Sequence, residues 1–174
     1  TSPGASPNIT PSCFAGHALV ELESGLHRRM DELLIGDRVK VAECAAAERA
    51  IGPLRHATAA RAKSIADPLV RARAMHVTSE NRRVIDFADA IAAGDLGAAG
   101  RLMVQSHDSL RDLYDTSTPT MDAAVSRAVA TPGVYGARMT GGGFGGCIVA
   151  LTEPGALTTG WVVQAVAGAT LVAS

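Results

Sequence analysis

The sequence has little net charge, few aromatic residues and no long apolar run. Its 174 residues carry a formal net charge of −1, which excludes a strongly basic surface for nucleic acid or anionic membranes. No apolar stretch reaches the roughly 18–20 residues that cross a bilayer. Aromatic residues make up 3% of the chain, while hydrophobic residues make up 47%. This composition predicts a compact soluble protein whose helical core is packed with alanine.

Cysteine is also scarce. The three cysteines, Cys13, Cys44 and Cys147, are odd in number and far apart, and none belongs to a CxxC pair. This pattern argues against a disulfide framework and against a zinc site. Residues 1–12 are polar and lack the apolar segment of a signal peptide. We therefore expect a protein of the reducing cytoplasm.

The type of residue that dominates the chain changes near residue 41, from β-forming to helix-forming. Residues 1–12 are predicted to be a linker. Residues 13–41 contain the alternating stretches ALVEL and RVKV, with a turn at Glu23-Ser24-Gly25 between them, and predict a short β-rich unit. Helix formers dominate from AECAAAERAIG onward, so residues 42–174 are predicted to form the main domain.

Three helix starts are marked by capping residues. Asp67-Pro68, Asp95 and Thr118-Pro119 fit this role, because Asp and Thr cap a helix and proline has no N–H to lose in the first turn. Gly94 is expected to end the first of these helices. Strands are predicted at VYGARM, CIVALT and around WVVQAV (134–139, 147–152 and 161–166). The fold class is therefore α+β, with helices packed on one face of a small antiparallel sheet and a short β-rich N-terminal segment.

Apolar residues recur along the first two of these helices. In the first they stand at roughly helical spacing, and they are Leu69, Met75, Val77, Val84, Ile85, Ala88 and Ile91. In the second they are predicted to point inward, and they are Leu96, Leu102, Met103, Leu110, Leu113 and Tyr114. The methionines are expected to fill gaps in the core.

A glycine cluster, GARMTGGGFGGC, lies between two predicted strands at residues 136–147. Glycine loses much conformational freedom on folding, so such a cluster must serve a purpose. One interpretation is a tight turn with a bulge between hairpin strands. The other is a cradle in which backbone N–H groups approach phosphate oxygens. The spacing alone favours neither.

Several motifs in this region resemble those of a known family. SHDSLRDLYDTS (106–117), GDL (94–96) and GARMTGGGFGGC are similar to the C-terminal domain of galactokinases, members of the GHMP kinase superfamily. The resemblance covers about residues 43–154. It implies an ATP- and Mg²⁺-dependent kinase acting on galactose. It also implies that the glycine loop lies beside the nucleotide phosphates, through Gly141, Gly142, Gly143, Gly145 and Gly146.

Other motifs of that family are absent from this chain. No segment is similar to the sugar-binding GRVNLIGEHTDY, to the phosphate loop PxGxGLSSSA, or to the part that carries the catalytic aspartate. The resemblance therefore implies an N-terminal kinase domain, in cis or in trans, and predicts that the chain is inactive alone. No catalytic residue and no metal ligand is assigned here. The face that would meet the missing domain is expected to be exposed, which predicts dimerisation or poor solubility.

The segment CFAGHALVELESGLHRRMDELLIGDRVKV (13–41) resembles the opening block of the Hint fold of inteins and hedgehog autoprocessing domains. That resemblance makes Cys13 the nucleophile. The following TxxH block and the terminal His-Asn are absent, so Cys13 is predicted to be inert. Two alternative functions stay open: a remnant of a Hint-type autoprocessing protein, and a non-catalytic sugar- or nucleotide-binding module.

The remaining candidate residues are given structural roles. His107, beside Asp108, could be a general base, but packing against a neighbouring turn is favoured. His76 and Glu80 stand four residues apart and are predicted to be a surface pair. Arg138 faces phosphate or is paired on its strand, and Cys147 begins a buried strand. A solvated helix face is predicted for Asp108, Arg111, Asp112 and Asp115.

Overall fold

The computed structural model describes residues 19–21, 27–29, 42–141, 143 and 145–163. Strands β1 (Leu19–Glu21) and β2 (His27–Arg29) pair antiparallel, with Leu19 opposite Arg29. This pair confirms the strand predicted at ALVEL. Cys13, the turn at 23–25 and the RVKV stretch lie outside the described residues.

Five α-helices and a second pair of strands form the rest of the described chain. The helices are α1 (Ala42–Ile51), α2 (Ala59–Lys63), α3 (Pro68–Ala92), α4 (Leu96–Asp112) and α5 (Pro119–Val129), with a 3-10 turn at Leu54–His56. The strands are β3 (Val134–Thr140) and β4 (Cys147–Thr152), paired antiparallel with Met139 opposite Ile148. The α+β class is confirmed.

The predicted caps are in place at the starts of α3, α4 and α5. Asp67 Oδ1 accepts the N–H groups of Leu69 and Val70 at 2.9 Å. Asp95 Oδ1 accepts the N–H of Ala98 at 2.7 Å, and Thr118 accepts that of Met121. Each cap satisfies N–H groups that have no partner within the helix.

The helices pack through alanine-rich contacts, as the composition predicts. One cluster joins α1, α2 and α3, and in it Ala47, Ala62 and Ala74 have no exposed surface. A second cluster packs Val125 and Ala128 of α5 against the sheet, on Ala137 and its neighbours Ile148 and Ala150. Small side chains let helix and sheet backbones approach closely.

Helix α4 lies directly on β3. A Cβ added to Gly100 would be 2.0 Å from the carbonyl oxygen of Tyr135, and a Cβ added to Gly136 would be 2.0 Å from that of Gly100. The two backbones are therefore in contact, and only glycine fits at this crossing. Met103 of α4 is buried, and the other five residues predicted to point inward from this helix are half-buried.

The helical spacing of the apolar residues of α3 is confirmed, and four of them, Leu69, Val84, Ile85 and Ile91, are exposed. One expectation is wrong in part. The predicted third strand does not begin at Trp161–Val163, which has no regular structure and is exposed, and residues 164–166 lie outside the described part. Within the described residues, no helix is long and apolar enough to span a membrane.

Candidate functional site

The glycine loop joins β3 to β4 in a conformation that requires glycine. The φ angles of Gly141, Gly143, Gly145 and Gly146 are +87°, +91°, +137° and +107°. Residues with a side chain rarely adopt these values, so the backbone can follow this path only because these residues have no Cβ atom. The six residues 141–146 connect the paired strand ends Thr140 and Cys147, and the irregular register of this hairpin lies at Val134–Gly136, away from the loop. The phosphate cradle stays a prediction, and Gly142 and Phe144 lie outside the described residues.

Thr116 packs against the glycine loop at Gly143. A Cβ added to Gly143 would lie 2.6 Å from both the Cβ and the carbonyl oxygen of Thr116. Thr116 is itself buried, and its N–H and hydroxyl both donate to the carbonyl of Leu110, at 3.1 and 3.3 Å. The loop therefore rests on a fixed part of the chain just after α4.

A polar network lies next to this contact. His107 is 2% exposed, and its Nε2 is 3.1 Å from Asp122 Oδ1. The same carboxylate oxygen accepts the Ser117 hydroxyl at 2.6 Å, while the N–H of Met139 donates to His107 Nδ1 at 3.4 Å. The structural role predicted for His107 agrees with its burial, but its partners lie on α5 and β3 and not on a neighbouring turn. Sequence reasoning missed Asp122 and Ser117, because nothing in their spacing shows that α5 returns to α4.

His76 is not part of a surface pair, and that prediction is wrong. The residue is 6% exposed, its Nδ1 lies 2.8 Å from Ser109 Oγ, and its ring centroid is 4.5 Å from that of Tyr114. Burial, aided by the positive charge of Arg83, lowers the pKa of His76 to about 4. The imidazole is therefore neutral at pH 7. Helix α4 covers this face of α3, which the sequence of α3 alone does not reveal.

Glu80 pairs instead with arginines. Its carboxylate forms an ion pair with Arg83 on the same helix, accepts the Ser106 hydroxyl at 2.7 Å, and lies 3.7 Å from Arg138 Nη1. Arg138 also donates from Nε to the carbonyl of Met139 at 3.0 Å. Burial lowers the pKa values of Arg83 and Arg138. Of the two alternatives for Arg138, the structure thus supports a paired strand arginine.

These charged groups form one end of a cavity of about 270 Å³ between α3, α4 and β4. Its apolar walls are Val84, Phe87, Leu102, Met103 and Val149. The cavity takes its charge from Glu80, Arg83 and Arg138, and its lining includes neither Met139 nor the described loop residues Gly141, Gly143, Gly145 and Gly146.

The solvated face is confirmed. Arg111 pairs with Asp112 at 2.7 Å and with Asp108 at 3.0 Å, and the Asp115 side chain is 84% exposed. The hydrogen bond from Arg111 lowers the pKa of Asp112. Cys147 begins β4 as predicted and is half-buried there. The described residues contain no group of three or more His, Cys, Asp or Glu side chains that could hold a metal ion.

Comparison with known proteins finds relatives of the segment that carries this geometry. A family model described as GHMP kinases C terminal matches residues 87–157, which include α4, α5, β3, the glycine loop and β4. Human galactokinase is 58% identical over 84 residues, which are 48% of this chain. Residues 87–157 are therefore similar to the C-terminal domain of GHMP kinases and to that part of galactokinases.

Two further relatives extend this finding. The galactokinase of Roseiflexus sp. strain RS-1 is 50% identical over 101 residues, or 58% of this chain. The crystal structure of Lactococcus lactis galactokinase complexed with galactose has a TM-score of 0.59 and 34% identity over 63% of this chain. The GHMP kinase resemblance is thus supported at the levels of sequence and fold, while these findings give no support to the Hint resemblance of residues 13–41.

The similarity covers only part of each relative. It spans 21% of human galactokinase, 26% of the Roseiflexus protein and 30% of the Lactococcus chain. Most of the length of a galactokinase therefore has no counterpart in the matched part of this chain.

Proposed function

We propose that this chain supplies the C-terminal part of a galactokinase, which converts galactose and ATP to galactose 1-phosphate and ADP. The observation that carries the proposal is the glycine loop. Four of its glycines have positive φ, Gly143 lies against Thr116, and the loop falls within the segment homologous to galactokinases. The proposed protein acts in the cytoplasm, an inference that rests on its cysteine pattern.

In this proposal the loop from Gly141 to Gly146 lines one side of the nucleotide site. Without Cβ atoms, consecutive N–H dipoles can face a common point, where anionic phosphate oxygens are stabilised. Such a loop fits a triphosphate better than a neutral ligand. The fixed contact with Thr116 keeps the N–H groups oriented before the nucleotide arrives, which reduces the entropy lost on binding.

The remaining parts of the site are assigned to an N-terminal kinase domain, in cis or in trans. Phosphoryl transfer depends on holding the sugar hydroxyl in line with the γ-phosphate and on neutralising charge with Mg²⁺ and cationic groups. We assign no Mg²⁺ ligand and no catalytic base to the described residues. The chain alone is therefore expected to bind nucleotide without turnover.

Calorimetric titration of the purified chain with MgATP, with and without galactose, tests the nucleotide site. We expect micromolar binding that is weakened at least about tenfold by Gly143→Val, because the new side chain would displace the loop from Thr116. The matched control is Gly155→Ala. Gly155 also has positive φ but lies beyond the other end of the β3–β4 pair. Equal affinities for the wild-type chain and Gly143→Val would contradict the proposed site.

Reconstitution tests the proposed reaction. The chain is mixed with the N-terminal part of a galactokinase relative, and ADP formation is followed with and without galactose. We expect galactose-dependent ADP formation only when the two parts are combined. Turnover of another sugar in place of galactose would assign the chain to a different GHMP kinase.

A further inference from the structure

We infer that His107 is a positioning residue that holds the glycine loop through two hydrogen bonds of fixed direction. The inference rests on the proposed function, since the loop concerned is the proposed phosphate site. Among the described residues, the hydrogen bonds of the His107 side chain go to Asp122 and Met139 and not to the loop glycines. His107 acts on the strand that enters the loop and on the turn that supports it.

The first bond fixes the tautomer of the imidazole. The N–H of Met139 donates to His107 Nδ1 at 3.4 Å, so Nδ1 offers a lone pair and carries no proton. A neutral imidazole then carries its proton on Nε2, which faces Asp122 Oδ1 at 3.1 Å. His107 thus accepts from the backbone of β3 and donates to α5. The other tautomer would place two N–H groups of His107 and Met139 against each other.

The second bond connects His107 to the turn that packs against the loop, at Thr116 and Ser117. Asp122 Oδ1 accepts from His107 and also from the Ser117 hydroxyl, at 2.6 Å. Ser117 follows Thr116, the residue that a Cβ at Gly143 would meet at 2.6 Å. One carboxylate therefore ties the imidazole to the turn on which Gly143 lies.

The two bonds together set the position of the loop relative to its support. Met139 stands two residues before Gly141, where β3 enters the loop, and it is 1% exposed. If His107 is lost, the buried N–H of Met139 loses its acceptor and Asp122 loses one of its donors. The strand end and the Thr116 turn then become free to move independently, which would misalign the N–H groups of the loop.

The experiment is an NMR study of the full ¹⁵N-labelled chain, without nucleotide, at pH 7. The ¹⁵N shifts of the imidazole nitrogens report the tautomer of His107 directly. Amide exchange at Met139 reports its hydrogen bond, and the amide shifts of Gly141, Gly143, Gly145 and Gly146 report the position of the loop.

Two variants separate the two bonds. The side-chain oxygen in His107→Asn takes the place of Nδ1, so it can still accept from Met139, but it cannot reach Asp122. The amide group in His107→Gln takes the place of Nε2, so it can still donate to Asp122, but it leaves Met139 without its acceptor. Asp108→Asn, on the exposed side of the same helix, is the matched control.

We expect the Nε2–H tautomer in the wild-type chain. Exchange at Met139 should be about tenfold faster in His107→Gln and near the wild-type rate in His107→Asn and Asp108→Asn, since a buried hydrogen bond is worth about that factor. The loop amides should shift in both His107 variants and stay in place in Asp108→Asn. If His107→Gln does not fold, the tautomer and the His107→Asn spectrum still decide the question.

Other results overturn the inference. An Nδ1–H tautomer would be incompatible with a hydrogen bond from the N–H of Met139. An unchanged exchange rate at Met139 in His107→Gln would show that this bond does not protect the amide. Equal acceleration in all three variants would indicate general loss of stability. Because no nucleotide is present, these outcomes are separate from the calorimetric test. If the NMR results are as expected and the chain binds no MgATP, the proposed function is contradicted, while the inference about His107 stands.

Discussion

Gly143 is constrained by its backbone conformation and by its neighbour at the same time. Its φ of +91° is unfavourable for any residue with a side chain, and the space beside its Cα is filled by Thr116. Gly155 shares the first constraint, with φ +78°, but an added Cβ there would meet no atom within 4 Å. Comparing alanine substitutions at these two glycines therefore distinguishes the cost of backbone strain from the cost of overpacking.

Gly143→Ala is expected to lower the free energy of unfolding by about 3 kcal/mol, from strain and overpacking together. Gly155→Ala should cost only about 1 kcal/mol, from strain alone. Urea unfolding followed by circular dichroism measures both changes. Equal losses would mean that the approach to Thr116 does not constrain the loop.

His76 makes stability depend on pH. Burial holds its folded pKa at about 4, below the ordinary value of 6.5, so protons bind the unfolded chain more readily. Above pH 6.5 the residue is neutral in both states and contributes nothing to the pH dependence. Between pH 6.5 and about 4 the unfolded state gains a proton that the folded state lacks, and stability falls as the pH is lowered.

We expect proton binding by His76 in the unfolded state to lower the free energy of unfolding by up to about 1.4 kcal/mol per pH unit across that interval. His76→Asn keeps a polar group in place of Nδ1, facing Ser109, but does not titrate. The measurement is the unfolding free energy of the two proteins from pH 7 to pH 4, in which carboxylate effects cancel in the difference. Parallel curves would contradict a buried neutral His76.

At the scale of elements, the contact between α4 and β3 positions His107 next to the end of β3 that enters the glycine loop. Gly100 and Gly136 bring helix and strand backbones together, so that His107, two turns further along α4, reaches the edge of β3 at Met139. The caps that begin each helix are local and could be predicted from the sequence. The crossing of α4 over β3 could not, because a glycine in a helix gives no indication of the partner that it meets.

Gly100→Ala is expected to lower the free energy of unfolding by at least about 3 kcal/mol, since the new methyl group would overlap the backbone of Tyr135. Gly97→Ala, in the first turn of the same helix, is the matched control. Its nearest neighbours would be 3.5 Å from the added Cβ, and the substitution should stabilise the helix by up to about 1 kcal/mol. Thermal unfolding gives both values. Similar behaviour of the two variants would show that α4 can move away from β3 at little cost.

At the scale of the whole molecule, the described chain exposes an apolar surface. Val84 is 67% exposed and Ile85 is 54% exposed, on a helix that also packs against α1, α2 and α4. The homology covers less than a third of each relative's length, and in an intact kinase we expect the remaining length to cover such a surface. In this chain alone it is available for self-association.

Val84→Lys combined with Ile85→Lys is expected to weaken self-association at least about tenfold, because burial of two aliphatic side chains contributes several times the energy of that factor. Sedimentation velocity over a range of concentrations measures the effect. Arg82→Lys, which keeps the charge of an exposed residue in the same turn, is the control. An unchanged association constant would place the self-associating surface elsewhere.

Local sequence determined where the helices start, which stretches form β3 and β4, and that the loop between them needs glycine. These features depend on neighbouring residues: a capping oxygen satisfies N–H groups two or three positions away, and a positive φ excludes a side chain at its own position. The order of the motifs also indicated the GHMP kinase resemblance. None of this required knowledge of distant contacts.

Only the tertiary structure decided which helix faces are covered and which polar residues meet. His76 is buried because α4 lies across α3, and Ile85 of the same helix is exposed because none of the described residues covers it. Likewise, Asp122 joins His107 to Ser117 because α5 returns beside α4. Such contacts depend on the path of the whole chain, so residue spacing cannot reveal them.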